Sequence, residues 1–316
     1  LALVNRLQDR VMVQRFHAEP SIRSIEMLLQ EQAPAGAPVQ FPHEDEVSPA
    51  QPARRAIAAN PWSVPLDTPM PMAHYLSNGR YGVLISNAGG GYSRWHDVAL
   101  TRWRADTTLD NWGSWLYVQD LERGALWSAT RQPLAGEPSH EETLFFPHMA
   151  SFRRREQDIS LHLEICVAPD DDVEVRRITL INESDQPRRL RLTTYGEVAL
   201  APQAADQRHP AFAKLFVESE YFADLNALLF ARRPRSAHEE RQFLIHMLVR
   251  PRNVAQEVWG RATYESDRAA FLGRGRTAQE PQALVEGATP SAGAVGNTGP
   301  TLDPIMSLGQ EIELPA

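Results

Sequence analysis

One cysteine, one lysine and no long apolar run distinguish this 316-residue sequence. With Cys166 alone, an intrachain disulfide is excluded, which fits a reducing, cytoplasmic compartment. Lys214 is the single lysine, so arginine supplies nearly all of the 32 basic residues. A GC-rich genome accounts for that bias, although guanidinium forks also suit planar bonding to carboxylates, phosphates and hydroxyl pairs. No stretch approaches the roughly 18 apolar residues of a membrane span, so no direct membrane insertion is expected. The charged, amphipathic start at Leu1 does not read as a signal peptide. An excess of positive charge is also missing. The formal net charge of −8 is a poor match to a phosphate backbone and argues against nucleic acid as a partner. The histidines show no zinc spacing and have no cysteine pair to help them. No G-x-S-x-G elbow anchors an esterase triad. Neither a metal nor a cofactor is expected.

What is present points to a folded, strand-rich chain. Apolar residues make up 42 % and charged residues 23 %, as in ordinary soluble domains. The length suits one large domain with an appendage. Val4, Leu7, Val11 and Phe16 recur at helical spacing. After Pro20, Ser21 is a plausible N-cap for a second helix carrying Ile22, Ile25, Met27, Leu28 and Leu29. Residues 34–60 turn rich in Pro, Ala, Gly and Glu and read as a linker. The division expected is therefore N-terminal helices and linker over 1–60, then a β-sandwich over 61–316.

From Tyr75 onward, short apolar or alternating runs are separated by turn residues. They are Tyr81–Ser86, Trp115–Gln119, Ala125–Ala129, Ile159–Val167, Val173–Ile181, Leu190–Leu200, Lys214–Tyr221, Ala227–Ala231 and Phe243–Val249. Glu122, Arg123 and Gly124 read as a hairpin turn. Asp267–Leu272 suggests one helical turn, 278–300 a long loop, and Gln310–Leu314 a last strand, as if the natural protein continued. Many short strands with few helices predict an antiparallel sandwich or barrel. Cys166, inside a buried-looking strand, is expected to be an inert core thiol.

The densest chemical signal lies between Tyr75 and Trp127. Six of the seven tryptophans fall in or just before it: Trp62, Trp95, Trp103, Trp112, Trp115 and Trp127. Among them sit Arg94, His96, Asp97, Arg102, Arg104, Asp106, Asp110 and Asn111. Sugar rings stack on aromatic faces, and their hydroxyls take directional bonds from Arg, Asp and Asn. Large rings filling a sandwich core give the same composition, and full burial would mark that alternative. Gly89-Gly90-Gly91 departs from the phosphate-loop pattern and reads as a sharp turn or close backbone approach. Glu218 and Glu220 share a strand face about 7 Å apart, as glycosidase carboxylates can, but a solvent-facing strand accounts for them. Asp170-Asp171-Asp172 reads as a solvated turn rather than a calcium site.

The run from His74 to Arg104, containing Asn78-Gly-Arg-Tyr-Gly-Val, Gly89-Gly-Gly and Arg94-Trp-His-Asp, resembles the cyclic β-1,2-glucan synthases. More broadly, it resembles the N-terminal domain of the cellobiose and chitobiose phosphorylase family. Asp110-Asn-Trp-Gly-Ser114, 169–182, 209–221, Arg232-Arg-Pro-Arg-Ser236 and Thr301-Leu-Asp-Pro-Ile305 continue the match, and Phe16-His-Ala-Glu-Pro20 resembles the segment before the module. The resemblance implies a mainly β fold, a large two-sheet antiparallel super-sandwich like galactose mutarotase, followed by an (α/α)₆ barrel that carries the catalytic acid. It implies a parent enzyme in the bacterial inner membrane that builds glucan from UDP-glucose. It also implies a cleft-facing surface that takes part in dimer contacts. The expected carbohydrate-binding residues are Trp95, His96, Asp97, Arg102, Trp103, Arg104, Trp112 and Trp115, with no catalytic residue. Expected partners are a β-glucan oligosaccharide, the barrel, and a second copy in a homodimer. Two alternatives stay open: a mutarotase-like enzyme using a His/Glu pair such as His96 with Glu218, and a purely structural docking or dimerisation sandwich. On the sugar reading, Trp112→Ala or Arg102→Ala should abolish binding and leave the melting temperature unchanged.

Overall fold

The computed structural model describes residues 61–234, 239–251, 254–255, 258–284 and 296–316. The helices and linker expected over 1–60 lie outside the described residues. The described chain is mainly β, and its strands pair antiparallel in three sheets. The first has five strands in the order β1 (Trp62–Val64), β8 (His140–Phe146), β9 (Met149–Glu156), β10 (Ile159–Val167) and β11 (Glu174–Asn182). The second has nine. Its main path runs β16 (Trp259–Asp267), β18 (Pro304–Leu314), β12 (Arg188–Pro202), β5 (Val98–Thr101), β4 (Gly91–Trp95), β3 (Tyr81–Ser86) and β2 (Ala73–Ser77). Beside β12 lies β6 (Trp115–Asp120), followed by β7 (Leu126–Ser128). The third has four: β15 (Gln242–Met247), β14 (Ala227–Arg232), β13 (Val217–Phe222) and β17 (Gly299–Pro300). Three short α-helices, α1 (Gln203–Arg208), α2 (Pro210–Lys214) and α3 (Arg268–Leu272), and a 3₁₀ turn at Ala223–Leu225 complete the described elements.

Alternation along the strands builds the core. In β10, Ile159, Leu161, Leu163 and Ile165 point inward and are at most 3 % exposed. They meet Val83, Ile85, Val118, Leu190, Val198 and Leu308 of the nine-stranded sheet, and Leu228 and Phe230 of the four-stranded one, in one cluster. Placing each such side chain out of water contributes about 1.5–3 kcal/mol. The expected two-sheet sandwich thus has the layer opposite the nine-stranded sheet divided, for His246 of β15 meets Thr194 of β12 and Tyr221 of β13 stacks on Tyr264 of β16. A smaller core of Trp115, Tyr117, Tyr195, Phe271, Leu272, Leu284 and Ile305 involves α3 and strands of the nine-stranded sheet. Asp267 caps α3 by accepting from the Ala269 amide at 2.8 Å, which explains the expected helical turn.

Three expectations change. The strand proposed from Lys214 begins at Val217, because Pro210 opens α2, where its fixed φ suits a first helical turn. Strands β8 and β9 went unread because Glu141-Glu142 in β8 and Arg153-Arg154-Arg155 in β9 break the apolar pattern. Arg154 points inward even so, neutralised by Glu141 and Glu156 at 3.1 Å each. Cys166 occupies the opposite row of β10 from Ile165 and is only partly buried, so it is not a core thiol. The triple glycine is a close backbone approach. A Cβ at Gly91, whose φ is 144°, would lie 1.9 Å from the Leu84 carbonyl oxygen.

Candidate sugar-facing cleft

β4 and β5 form a hairpin with His96 and Asp97 exposed at its turn; His96 takes a left-handed φ of 49°. Side chains alternate across this hairpin, so Val98 and Leu100 enter the main core while Tyr92 and Arg94 stay off it. Tyr92, Arg94, Asp97, Ala99, Thr101, Arg102 and Trp103 line a cleft of about 150 Å³, with Gln203 and Asp206 of α1 closing it. The Tyr92 and Trp103 rings pack at 5.2 Å between centroids, tilted by 52°. Both are partly exposed, so each can still present ring surface.

Strand β12 brings α1 to this place. Its first half pairs with β6 and its end with β5, and a bulge separates Val198 from Ala201. Leu200 sits in that bulge at φ 46°. Bulges re-aim a strand, and α1 follows directly. An ion network then fixes the helix. Arg102, 4 % exposed, donates Nε and Nη2 to the two Asp206 oxygens at 2.9 Å each. It donates Nη1 to Glu197 Oε2 at 3.1 Å. Glu197 also accepts from Arg268 at 2.7 Å and from the Tyr195 hydroxyl at 3.2 Å. Burial alone would lower the pKa of Arg102, but Asp206 and Glu197 outweigh it and hold the guanidinium charged.

The other aromatic residues are distributed elsewhere. Trp95 leaves the hairpin with its Nε1 donated to Asp172 at 2.6 Å. Arg80 donates Nε to the same carboxylate at 2.8 Å. Bonds from Arg80 and then Trp95 hold the Asp172 carboxyl below its usual range. Asn78 pins the same loop through the Ala168 and Asp171 carbonyls at 2.9 Å. The acidic triplet is therefore a braced turn. The Arg104 guanidinium stacks 5.5 Å from the centre of the Trp112 ring. Trp115 is 3 % exposed and belongs to the smaller core.

Residues 63–316 match the family model described as glycosyl hydrolase 94, supersandwich domain. The chain belongs to this family. The chain is 33 % identical over 308 residues to the cyclic beta-(1,2)-glucan synthase NdvB of Rhizobium meliloti (strain 1021), covering 95 % of the chain and 10 % of that protein. It is 29 % identical over 160 residues to the N,N'-diacetylchitobiose phosphorylase of Vibrio furnissii, covering 49 % of the chain and 20 % of the relative. Over 130 residues it is 32 % identical to the 3-O-beta-D-glucopyranosyl-beta-D-glucuronide phosphorylase of Paenibacillus borealis, covering 40 % and 16 %. The chain thus spans between a tenth and a fifth of these relatives' length. No helix among its described residues is long and apolar enough to cross a membrane.

Of the eight expected residues, the supersandwich brings Asp97, Arg102 and Trp103 to the cleft. Trp95 and His96 lie together at the hairpin, rings 4.7 Å apart and edge-on. Arg104 and Trp112 form a separate stacked pair. Trp115 is corrected to a core ring, because β6 turns it inward against Tyr195 and Phe271. Arg102 is corrected to a buried clamp whose donors are engaged by carboxylates. The His96 and Glu218 pair does not line the cleft; Glu218 lies in β13 and binds Arg233 at 3.0 Å. The sequence reading missed Tyr92, Gln203 and Asp206. Tyr92 is legible from its alternation with Arg94. Asp206 lies 104 residues from its partner Arg102, and no local pattern signals that pairing.

Proposed function

We propose that this chain is the non-catalytic, carbohydrate-facing domain of a larger glucan synthase or glycoside phosphorylase. On this reading, residues 61–316 form the sugar-facing sandwich and 1–60 join it to the preceding part of a parent enzyme in the bacterial inner membrane. An (α/α)₆ barrel supplies the catalytic groups and the other wall of the cleft. The ligand is a β-glucan oligosaccharide. One observation carries the reading: two partly exposed rings, Tyr92 and Trp103, sit beside Asp97, Arg94 and Gln203 in an open cleft. Ring faces offer stacking to a pyranose, and the carboxylate, guanidinium and amide offer directional bonds to its hydroxyls. The relatives' names, a glucan synthase and disaccharide phosphorylases, point to the same substrate class.

Half a cleft binds weakly. Titration of β-1,2-glucan oligosaccharides should give a dissociation constant near the millimolar range, about −4 kcal/mol. Trp103→Ala should remove that binding and change the melting temperature little, since the ring is partly exposed. The chain alone should release no glucose 1-phosphate from the glucan in phosphate buffer. Binding that survives Trp103→Ala, or phosphorolysis by the purified chain, would refute the proposal.

A further inference from the structure

Tyr75 of β2 is 48 % exposed, yet its ring has a fixed seat. Its neighbours in the strand point the other way. His74 stacks on Phe145 at 5.0 Å, and Leu76 joins the main core. Tyr75 therefore stands on the outer face of the nine-stranded sheet. The ring lies down across β3, for a Cβ placed on Gly82 would meet the Tyr75 hydroxyl oxygen at 2.0 Å and Cζ at 2.7 Å. Gly82 takes no left-handed φ, so the position requires the missing side chain and not backbone freedom. The second glycine of Asn78-Gly-Arg-Tyr-Gly-Val is thus a bed for this ring. One side of the ring rests on the sheet and the other is open to solvent.

The ring is in line with the cleft. Tyr75 pairs with Leu84 of β3, and Leu84 pairs with Tyr92 of β4. Gly82, under the tip of the ring, pairs with Arg94. Adjacent strands lie about 4.8 Å apart, so Tyr75 and Tyr92 are about 10 Å apart at Cα, and the ring tip is about one strand from Arg94. Tyr92 and Arg94 already line the cleft, and Trp103 carries it on beyond Tyr92. The floor between the two tyrosines is partly buried Leu84 and bare Gly82. We infer that the cleft continues across this face to Tyr75 and forms a platform for consecutive sugars of a β-glucan oligosaccharide, an inference that rests on the carbohydrate-facing function proposed above. The separation decides the ligand. One sugar covers one ring, so Tyr75 and Trp103 are bridged only by a chain of sugars lying across β3 and β4. Ring faces at both ends and the polar groups of Arg94 and Asp97 between them match the alternating C–H faces and hydroxyls of such a chain. A protein partner would need a broader apolar patch, and Tyr75 is flanked in its strand only by Ala73 and Ser77 on this face. Tyr75 thus makes the cleft sensitive to the length of its ligand.

Titration of the full chain with the disaccharide and the hexasaccharide of β-1,2-linked glucose, followed by ligand-observed NMR, tests the platform. Wild type should bind the hexasaccharide about tenfold more tightly than the disaccharide, since only the longer ligand covers the open half of the Tyr75 ring. Tyr75→Ala should bring the two affinities within about threefold of each other by weakening the hexasaccharide alone. Tyr75→Phe keeps the ring and should keep the gain. Gly82→Ala should act as Tyr75→Ala does, because its Cβ meets the free end of a side chain and displaces the ring from its bed. Melting temperatures near wild type verify that these variants fold. Trp103→Ala, in contrast, should abolish binding of both ligands. If Trp103 is required but wild type binds the two equally, the platform is overturned and the cleft stands. If neither ligand binds wild type, both are overturned. A Tyr75→Ala protein that keeps the full gain would also overturn the platform and assign this ring to a protein contact.

Discussion

Arg102 separates a structural clamp from a ligand-binding residue in one experiment. In Arg102→Ala, Asp206 loses both of its 2.9 Å bonds, and no other cation contacts it among the described residues. Glu197 loses one bond at 3.1 Å but keeps Arg268 at 2.7 Å and the Tyr195 hydroxyl. The penalty is therefore that of one stranded carboxylate. Removing one partner of a buried pair costs about 3–5 kcal/mol. Asp206 also lines the cleft, so water can enter the vacated space and the lower end, about 3 kcal/mol, is the expected value. For a domain of this size each kcal/mol shifts the melting temperature by about 2–4 °C, giving a fall of about 6–12 °C. Arg102→Met with Asp206→Leu removes both charges and should recover much of the loss, with a coupling of about 2 kcal/mol or more in the double-mutant cycle. Thermal denaturation of the four proteins decides the matter. A single variant melting within about 2 °C of wild type, or a double variant whose loss is the sum of the singles, would refute the clamp and restore Arg102 as a free ligand group.

Two further outcomes follow from buried charge. Arg188 and Asp120, each at most 1 % exposed, face one another, and Asp120 also accepts the amides of Glu122 and Arg123 at 2.9 Å. Asp120→Ala should therefore lower the denaturant midpoint by the equivalent of about 3–5 kcal/mol, and a loss below about 1 kcal/mol would contradict this. Burial, and then the nearby Arg176 charge, lower the pKa of His246 to about 4, with Glu174 opposing. The unfolded chain then takes up a proton first as pH falls. The stabilisation from neutral His246 is complete above about pH 6.5, drains between there and about pH 4, and amounts to about 3 kcal/mol. Melting curves of wild type and His246→Asn should converge over that window, and parallel curves would exclude the linkage.

Much of the architecture was legible because alternation survives wherever one strand face is buried. Ile159–Val167 and Tyr81–Ser86 were bounded correctly, for their inward rows are uninterrupted apolar residues. Of the strands that escaped, β9 carries an inward charge satisfied from far away, Arg154 by Glu141 and Glu156, while β1 and β5 are only three and four residues long. The cleft was half legible for a related reason. Residues 92–103 are contiguous and their aromatic and polar character is visible locally. The closing helix, in contrast, is recruited by a strand bulge and an ion pair spanning 104 residues. Composition alone placed Trp115 and Trp103 in one group, although one packs into the core and the other lines the cleft. Six tryptophans close in sequence reach different destinations because four lie in four different strands, Trp62 in β1, Trp95 in β4, Trp115 in β6 and Trp127 in β7, and Trp103 and Trp112 lie outside strands.

β18 is the last strand in chain order, yet it lies inside the nine-stranded sheet, hydrogen-bonded to β12 on one side and β16 on the other. The order of synthesis therefore opposes the order of assembly. At about 5–20 residues per second, β12 waits on the order of ten seconds for its neighbour to leave the ribosome, with one edge open throughout. Until then β6 and β5 can join β12, but β16 has no seat in the sheet. The nascent chain passes through a long interval with a fifteen-residue strand at its centre paired along one edge only. Slow release or chaperone shielding of that interval would govern yield more than the stability of the finished fold, and a stop codon placed just before Pro304 would leave β12 permanently unpaired on that side.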